Sequence, residues 1–193
     1  MCRGGSKTSN VARMTGFSTL VRATHLLTNA AWFGGSLMGA VALNPASHTA
    51  GGDAAAARIA GAGWQRWGPV QGGAIGLHLL SGLGIIADNR RRTVLHRPTR
   101  NAVVLKTGLT GLALAATAAA WSQGRKLAEQ RDPLRSADAD PAAAVSASEA
   151  ELDRRMDWLQ WAVPVTTGGL LVLDSYLGEQ QRGPAGLLDR LGR

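Results

Sequence analysis

A segment of 21 residues without a formal charge, Trp67 to Ala87, constrains this chain more than any other feature. It reads WGPVQGGAIGLHLLSGLGIIA. At a rise of about 1.5 Å per residue, a helix of this length covers the roughly 30 Å hydrocarbon core of a bilayer. A water-soluble helix would show a charged stripe on its wet face, and this segment has none. Its Gly72-x3-Gly76 spacing suits close packing between membrane helices. The segment therefore predicts a membrane span.

Three further apolar segments carry at most one Asp, Glu, Lys or Arg each, so the sequence predicts four spans, at about 23–43, 67–87, 101–121 and 158–177. Five of the six tryptophans fall at segment ends, where indoles favour the membrane interface: Trp64, Trp67, Trp121, Trp158 and Trp161. The predicted fold class is all-α, an integral membrane four-helix bundle. A soluble four-helix bundle is the first alternative, but the first two segments are too long and too free of charge for it. A cleaved signal ending at Ala40-Val41-Ala42 is the second, and its distance from the N-terminus argues against it.

The spans divide the chain into a tail at 1–16, a transmembrane domain at 17–178 and a second tail at 179–193. Within the domain, residues 131–147 are rich in Ala, Pro and Asp, which predicts a disordered outer loop. We expect the fourth helix to begin at a capping serine, Ser148, outside the bilayer.

The net charge of +8 is concentrated between the spans, above all in DNRRRTVLHRPTR at 88–100. When Arg22 is counted with the first tail and Lys106 with the second loop, thirteen of the 21 Lys and Arg residues fall in the two tails and the second loop, against eight in the first and third loops. This excess predicts that both termini are cytoplasmic in a multi-pass protein of the bacterial inner (plasma) membrane. A loop of about a dozen residues between two spans offers little surface for base or phosphate contacts. We therefore expect the lipid bilayer, and not a nucleic acid, to be the partner of this basic cluster.

The residues offer little support for catalysis. The only cysteine, Cys2, lies beside the initiator methionine, so no CxxC pair exists. There is no HExxH, no phosphate-binding glycine loop followed by Lys and Ser/Thr, and no pair of carboxylates within the spans. These absences favour a protein that is not an enzyme.

Four ionisable residues within the spans lie at similar depths in the cytoplasmic half: His25, His78, Lys106 and Asp174. Ionisable groups in lipid are costly and by default indicate function. On each helix, polar residues recur at helical spacing and form one stripe, which the four helices can turn towards one another. We expect a buried polar cluster that also includes Arg22, Asn29, Gln71 and Ser81.

Two interpretations of this cluster remain open. In the first, the groups satisfy one another, with Lys106 paired to Asp174, and serve only to hold the helices together. In the second, His25 and His78 bind a cofactor, either a haem iron held by axial imidazoles or another metal ion. The cofactor is left unassigned, with haem b as one candidate.

The first helix, HLLTNAAWFGGSLMGAVALNPA at 25–46, resembles the opening helix of copper-resistance D-type membrane proteins and related uncharacterised bacterial families. The matching residues are His25, Trp32, Gly34, Gly35 and Pro45. The resemblance implies a polytopic inner-membrane protein with a copper or haem association. The chain departs from the pattern because its four Met and four His residues are scattered and form no copper-binding tract.

The sequence thus favours a small non-catalytic membrane component or an accessory subunit of a complex, with another membrane protein or a second copy as its partner. The alternative is a site-bearing protein that uses the His25/His78 cluster. It would bind haem or a metal for redox chemistry, or would conduct a small solute or protons.

Overall fold

The computed structural model describes residues 5–88, 90, 97–130 and 144–182. These residues form four long helices: α1 (Gly5–Met38), α3 (Asp53–Asp88), α4 (Arg97–Gln130) and α5 (Ala144–Arg182). A π-helical turn (Gly39–Leu43), the short α2 (Asn44–Ser47) and a 3-10 turn (His48–Ala50) join α1 to α3. No strand occurs among the described residues. The prediction of an all-α fold is confirmed.

Three of the described helices contain segments long and apolar enough to cross a membrane: Phe17–Ser47, Ala55–Asp88 and Thr99–Leu127. They include the first three predicted spans. The segment of α5 at 158–177 is not among them. Many large apolar side chains on all four helices are exposed, including Leu27, Leu80, Val104 and Val165. Such a surface is suited to lipid and is unfavourable in water.

The helices pack in the order α3, α1, α5, α4, with α1 and α5 in the middle. The outer helices α3 and α4 touch each other at few points. The apolar core lies between α1, α4 and α5 and consists of Trp32, Ala113, Ala116, Val163 and Leu170. This order leaves α3 dependent on α1 for most of its packing.

Glycines on α1 allow α3 to approach closely. The indole of Trp67 lies against Gly35, and the indole of Trp64 lies against Gly39. A Cβ atom at either glycine would overlap the indole that covers it. Trp64 and Trp67 are therefore packing residues between two helices, whereas Trp121 and Trp158 are well exposed, as expected of interface residues. Trp64 and Trp67 thus have a packing role that the sequence did not predict, and their assignment to the membrane interface stays a prediction.

The π-helical turn before Pro45 fixes the outer end of α1. Proline has no backbone N–H, so the regular ladder cannot continue through it, and the N–H of Asn44 bonds to the carbonyl of Gly39 instead. The side chain of Asn44 then donates to Gln160 on α5 at 3.2 Å and accepts from the Trp64 indole at 3.2 Å. Three elements are joined at this end of the molecule by neutral polar groups.

Two expectations about the chain's organisation differ from the structure. Residues 5–16 and 144–147 are helical, so α1 reaches into the predicted tail and α5 begins before Ser148. Residues 131–143 of the predicted disordered loop, and 183–193 of the C-terminal tail, lie outside the described residues. The Gly72-x3-Gly76 pair mediates no packing within the described chain, because a Cβ at either glycine would meet nothing within 4 Å.

Candidate functional site

Two buried histidines face each other between α1 and α3. The rings of His25 and His78 are stacked, with centroids 3.9 Å apart and planes 15° from parallel. Nδ1 of His25 lies 2.9 Å from the carbonyl oxygen of His78, and Nδ1 of His78 lies 3.2 Å from the carbonyl oxygen of His25. Each ring is thus held by the backbone of the opposite helix.

These two bonds fix where each neutral ring carries its proton. A carbonyl oxygen only accepts hydrogen bonds, so Nδ1 must donate in both rings. The lone pair of each imidazole is consequently on Nε2, the nitrogen that can accept a proton or bind a metal. Ser81 lies 3.1 Å from His25 Nδ1 and donates its own hydroxyl proton to the carbonyl of Leu77 at 2.6 Å. The Ser81 hydroxyl oxygen is therefore free to accept from His25 Nδ1, which agrees with a proton on that nitrogen.

Lys106 of α4 connects the histidines to α5. Its Nζ lies 2.7 Å from His25 Nε2 and also donates to Oδ1 of Asp174. His25 Nε2 and Asp174 Oδ1 are 3.9 Å apart. The cluster of His25, His78, Lys106 and Asp174 therefore draws one residue from each long helix. With neutral imidazoles its net charge is zero, which is the state that a low-dielectric environment favours.

Trp32 covers this cluster on the side away from the predicted cytoplasmic face. Its ring meets the His78 ring edge to face at 6.1 Å, and its indole N–H donates to Thr117 on α4 at 3.1 Å. Trp32 is fully buried in the apolar core. One indole thus contacts the polar cluster and belongs to the core at the same time.

Two buried polar groups at the site lack partners among the described residues. Neither the amide nitrogen nor the amide oxygen of Asn29 makes a hydrogen bond, although the residue is fully buried. The second carboxylate oxygen of Asp174, Oδ2, is likewise buried without a partner. Leaving a buried amide unbonded costs about 2–7 kcal/mol, depending on the reference state.

The structure brings together five of the predicted site residues: His25, His78, Ser81, Lys106 and Asp174. Asn29 lies on the same face of α1, between His25 and Trp32 in the helical register, and is buried. Arg22 and Gln71 are half-buried and outside the cluster. Arg22 lies 3.4 Å from Ser18 and 4.0 Å from Asp88, at the end of α3, and so belongs to the rim.

The ring arrangement restricts the cofactors that the two histidines can hold. A haem iron between axial imidazoles needs both Nε2 atoms directed at it from opposite sides of a porphyrin. Here the rings are in face-to-face contact, and His25 Nε2 is bonded to Lys106. No group of three or more His, Cys, Asp or Glu residues suited to a metal ion occurs within the described ranges. The arrangement gives haem b and shared metal ligation no support, and both stay predictions.

Comparison of the chain with protein-family models, with curated proteins and with solved structures finds no match. The candidate site therefore depends on its own geometry.

The sequence could place these residues at one depth but could not define their bonds. Nothing in the helical spacing indicated that the Trp32 indole would bond to Thr117. The contact between Lys106 and His25 was missed as well. Its only signal was the equal depth of the two residues on helices distant in sequence.

Proposed function

We propose that this chain is a four-helix protein of the bacterial inner membrane that acts as a small non-catalytic membrane component. The observation that carries the proposal is the cluster of His25, His78, Lys106 and Asp174, which links one residue of each long helix inside the bundle. Intramembrane polar groups commonly hold helices together in this way. The role is that of a scaffold or an accessory subunit.

The neighbours of α5 support its assignment as the fourth span. Its Asp174 pairs with Lys106 of α4, so its charge is compensated within the protein. Val165 and Val172 on α5 are each 69% exposed and would face lipid. Helix α5 packs along the two apolar helices α1 and α4. When those two helices lie in lipid, the exposed side of α5 lies in lipid as well. The fourth span therefore completes the bundle.

The distribution of Lys and Arg supports an orientation with both termini in the cytoplasm, which makes α3 and α4 meet on the cytoplasmic side. Arg22 and Asp88 would then form a charged rim at that face. The resemblance of the first helix to copper-resistance D-type proteins supports the same polytopic placement. The partner that we propose is another membrane protein or a second copy of this chain.

The test of the membrane topology is a set of reporter fusions after Ser47, Arg97 and Ala143, paired with reporters active on opposite sides of the membrane. The proposal expects outside, inside and outside. A fusion after Gln123, within three residues of the outer end of the third predicted span, serves as the matched control and should agree with Ala143. A cytoplasmic Ala143 would show that one of the first three spans or the orientation is wrong.

The accessory role is tested by releasing the protein from native membranes into lipid nanodiscs and measuring the mass of the protein assembly that they hold. A defined complex, of copies or with another membrane protein, is the expected result. A chain that is found only as a monomer would contradict the subunit role while leaving the membrane fold intact.

A further inference from the structure

Among the described residues, buried polar atoms without partners lie at the cluster and, on α1, one turn further towards Trp32. The Asn29 amide and the second oxygen of Asp174 lack partners within the described part of the chain. His78 Nε2 carries a lone pair, since its Nδ1 donates to the carbonyl of His25. Asn29 lies on α1 between His25 and Trp32, the two residues whose rings contact the His78 ring. Donors and acceptors in such a place suit water, which needs two to four polar partners to bind in an interior.

A mainly apolar layer, which also contains the buried Thr167 and the Thr117 hydroxyl bonded to Trp32, separates this region from the polar groups at the outer end. Trp32, Ala113 and Leu170 are fully buried in that layer, and Val163 and Ala116 complete it. Beyond it lie Asn44 and Gln160, which are bonded to each other. The polar stripe of α1 is thus interrupted at Trp32 and resumes at Ser36, which is also buried.

We propose that the cluster of His25, His78, Lys106 and Asp174 is a proton-binding site reached from the cytoplasmic side and closed towards the outside by the layer of Trp32 and Leu170. Its ligand is a proton, and water bound at Asn29 lies between the cluster and this layer. This function goes beyond a scaffold and uses only the membrane placement of the proposed function.

The proton transfer within the cluster leaves its net charge unchanged. The N–H bond of Lys106 that points to His25 breaks, and a new N–H bond forms at His25 Nε2, 2.7 Å away. Lys106 becomes a neutral amine and His25 an imidazolium, which faces the Asp174 carboxylate at 3.9 Å. This internal transfer creates no charge. The neutral amine of Lys106 then binds the proton that arrives from the cytoplasmic side, and the cluster gains one positive charge beside the Asp174 carboxylate.

The groups that set the protonation of His25 come from every helix packed around it. They are Asp174 on α5, Lys106 on α4 and His78 on α3, with Arg22 and Asp88 at the rim. Lys106 is the more exposed member of its ion pair, with 16% of its side chain accessible, whereas both imidazoles are almost fully buried. Protons therefore enter at Lys106.

The experiment is a proton-flux measurement on the full chain in liposomes, with a trapped pH dye, an imposed pH gradient, and potassium with valinomycin to compensate charge. The wild type should hold the gradient. Trp32→Ala should raise the proton flux about ten-fold or more, because removing an apolar constriction lets water wet the path. Trp161→Ala is the matched control, since Trp161 is a half-exposed tryptophan outside the apolar layer. It should leave the gradient intact.

The proposal requires that protons cross the Trp32→Ala protein through the cluster. Adding Lys106→Met with Asp174→Asn to Trp32→Ala removes both charges together, and the flux should return to the wild-type level. A Trp32→Ala protein that stays tight, or whose flux survives loss of the cluster, overturns the proposal. So does a Trp32→Ala protein that passes sodium as readily as protons, which would be a nonspecific hole.

Leu170→Ala opens the same layer from α5. It replaces Trp32→Ala in the flux measurement if Trp32→Ala does not fold. Folding is checked by monodisperse elution in detergent and by insertion into the liposomes. A wild type that inserts with the expected topology but fails the flux test refutes only the proton site. A wild type that does not insert refutes the proposed membrane function.

Discussion

His25 is the residue on which the site depends, because its two ring nitrogens have different partners. Nδ1 contacts α3 through the carbonyl of His78 and the hydroxyl of Ser81, and Nε2 contacts Lys106 of α4. The sequence predicts the depth of His25 and its position on an inward stripe. It could not predict which nitrogen contacts which helix, since that depends on the rotation of α3 about its axis to within a few tens of degrees.

The geometry predicts that both neutral histidines carry the proton on Nδ1, with a bare Nε2. This is a consequence of the two bonds to backbone carbonyls, which require a donor. Solid-state NMR of protein labelled with ¹⁵N-histidine, in lipid near pH 8, distinguishes the two tautomers by their nitrogen shifts. His48, exposed at the other end of α1, provides the control signal. Protonated Nε2 on either buried ring would show that the reciprocal bonds are not formed.

Lys106 and Asp174 should be energetically coupled. Changing either residue alone leaves an uncompensated charge in a low-dielectric site, which costs about 3–5 kcal/mol for buried pairs. The double variant Lys106→Met, Asp174→Asn should therefore be less destabilised than the sum of the two single variants. Thermal unfolding in one detergent measures all four proteins of the cycle. Arg154→Ala with Glu151→Gln is the control cycle, because that pair is exposed to solvent and should show little coupling.

At the scale of helices, the sequence predicts four apolar segments, and each coincides with part of a described helix. The helices are longer than the segments because the hydrocarbon core sets the length of the apolar run and not the length of the helix. Propensity for helix continues into flanking sequences rich in Ala, such as 144–150 at the start of α5. Hydropathy therefore predicts where a helix meets lipid better than where it begins or ends.

The close approach of α1 and α3 gives a prediction at the same scale. Gly35→Ala should destabilise the fold by about 1–3 kcal/mol, since the new Cβ would overlap the Trp67 indole in a packed interface. Gly72→Ala is the matched control on α3, where an added Cβ meets nothing within 4 Å. Thermal unfolding of the two variants in detergent compares them directly. Equal melting temperatures would show that Trp67 does not pack on Gly35.

At the scale of the whole molecule, the sequence could predict a bundle but not the order of its helices. Short connections favour neighbours in sequence, and this holds for the pairs α1–α3 and α4–α5. It fails for α3 and α4, which follow one another yet touch at few points. The two pairs are joined instead by the contact of α1 with α5. The buried Asp174 and the small residues of both helices allow this contact.

The order of the helices can be tested by cysteine cross-linking in native membranes, in a Cys2→Ser background. Three pairs probe the expected neighbours: Val21 with Gly84 for α1 and α3, Phe33 with Gly168 for α1 and α5, and Leu109 with Gly169 for α4 and α5. In each pair a Cβ on the glycine would lie between 3.0 and 3.4 Å from the partner side chain. A short thiol-reactive cross-linker should therefore join all three pairs.

The cross-linking control pairs Gly76 on α3 with Gly108 on α4, where an added Cβ would meet no atom within 4 Å at either position. This pair should remain unlinked, because α3 and α4 are held apart by the cluster and by the core of Trp32 and Leu170. Migration of the chain on a non-reducing gel, with a cleavage site introduced in the loop between the paired helices, reports each link. A strong link between Gly76 and Gly108, together with a weak one between Phe33 and Gly168, would place α3 beside α4. That arrangement would separate His25 from Asp174 and remove the geometric basis of the site.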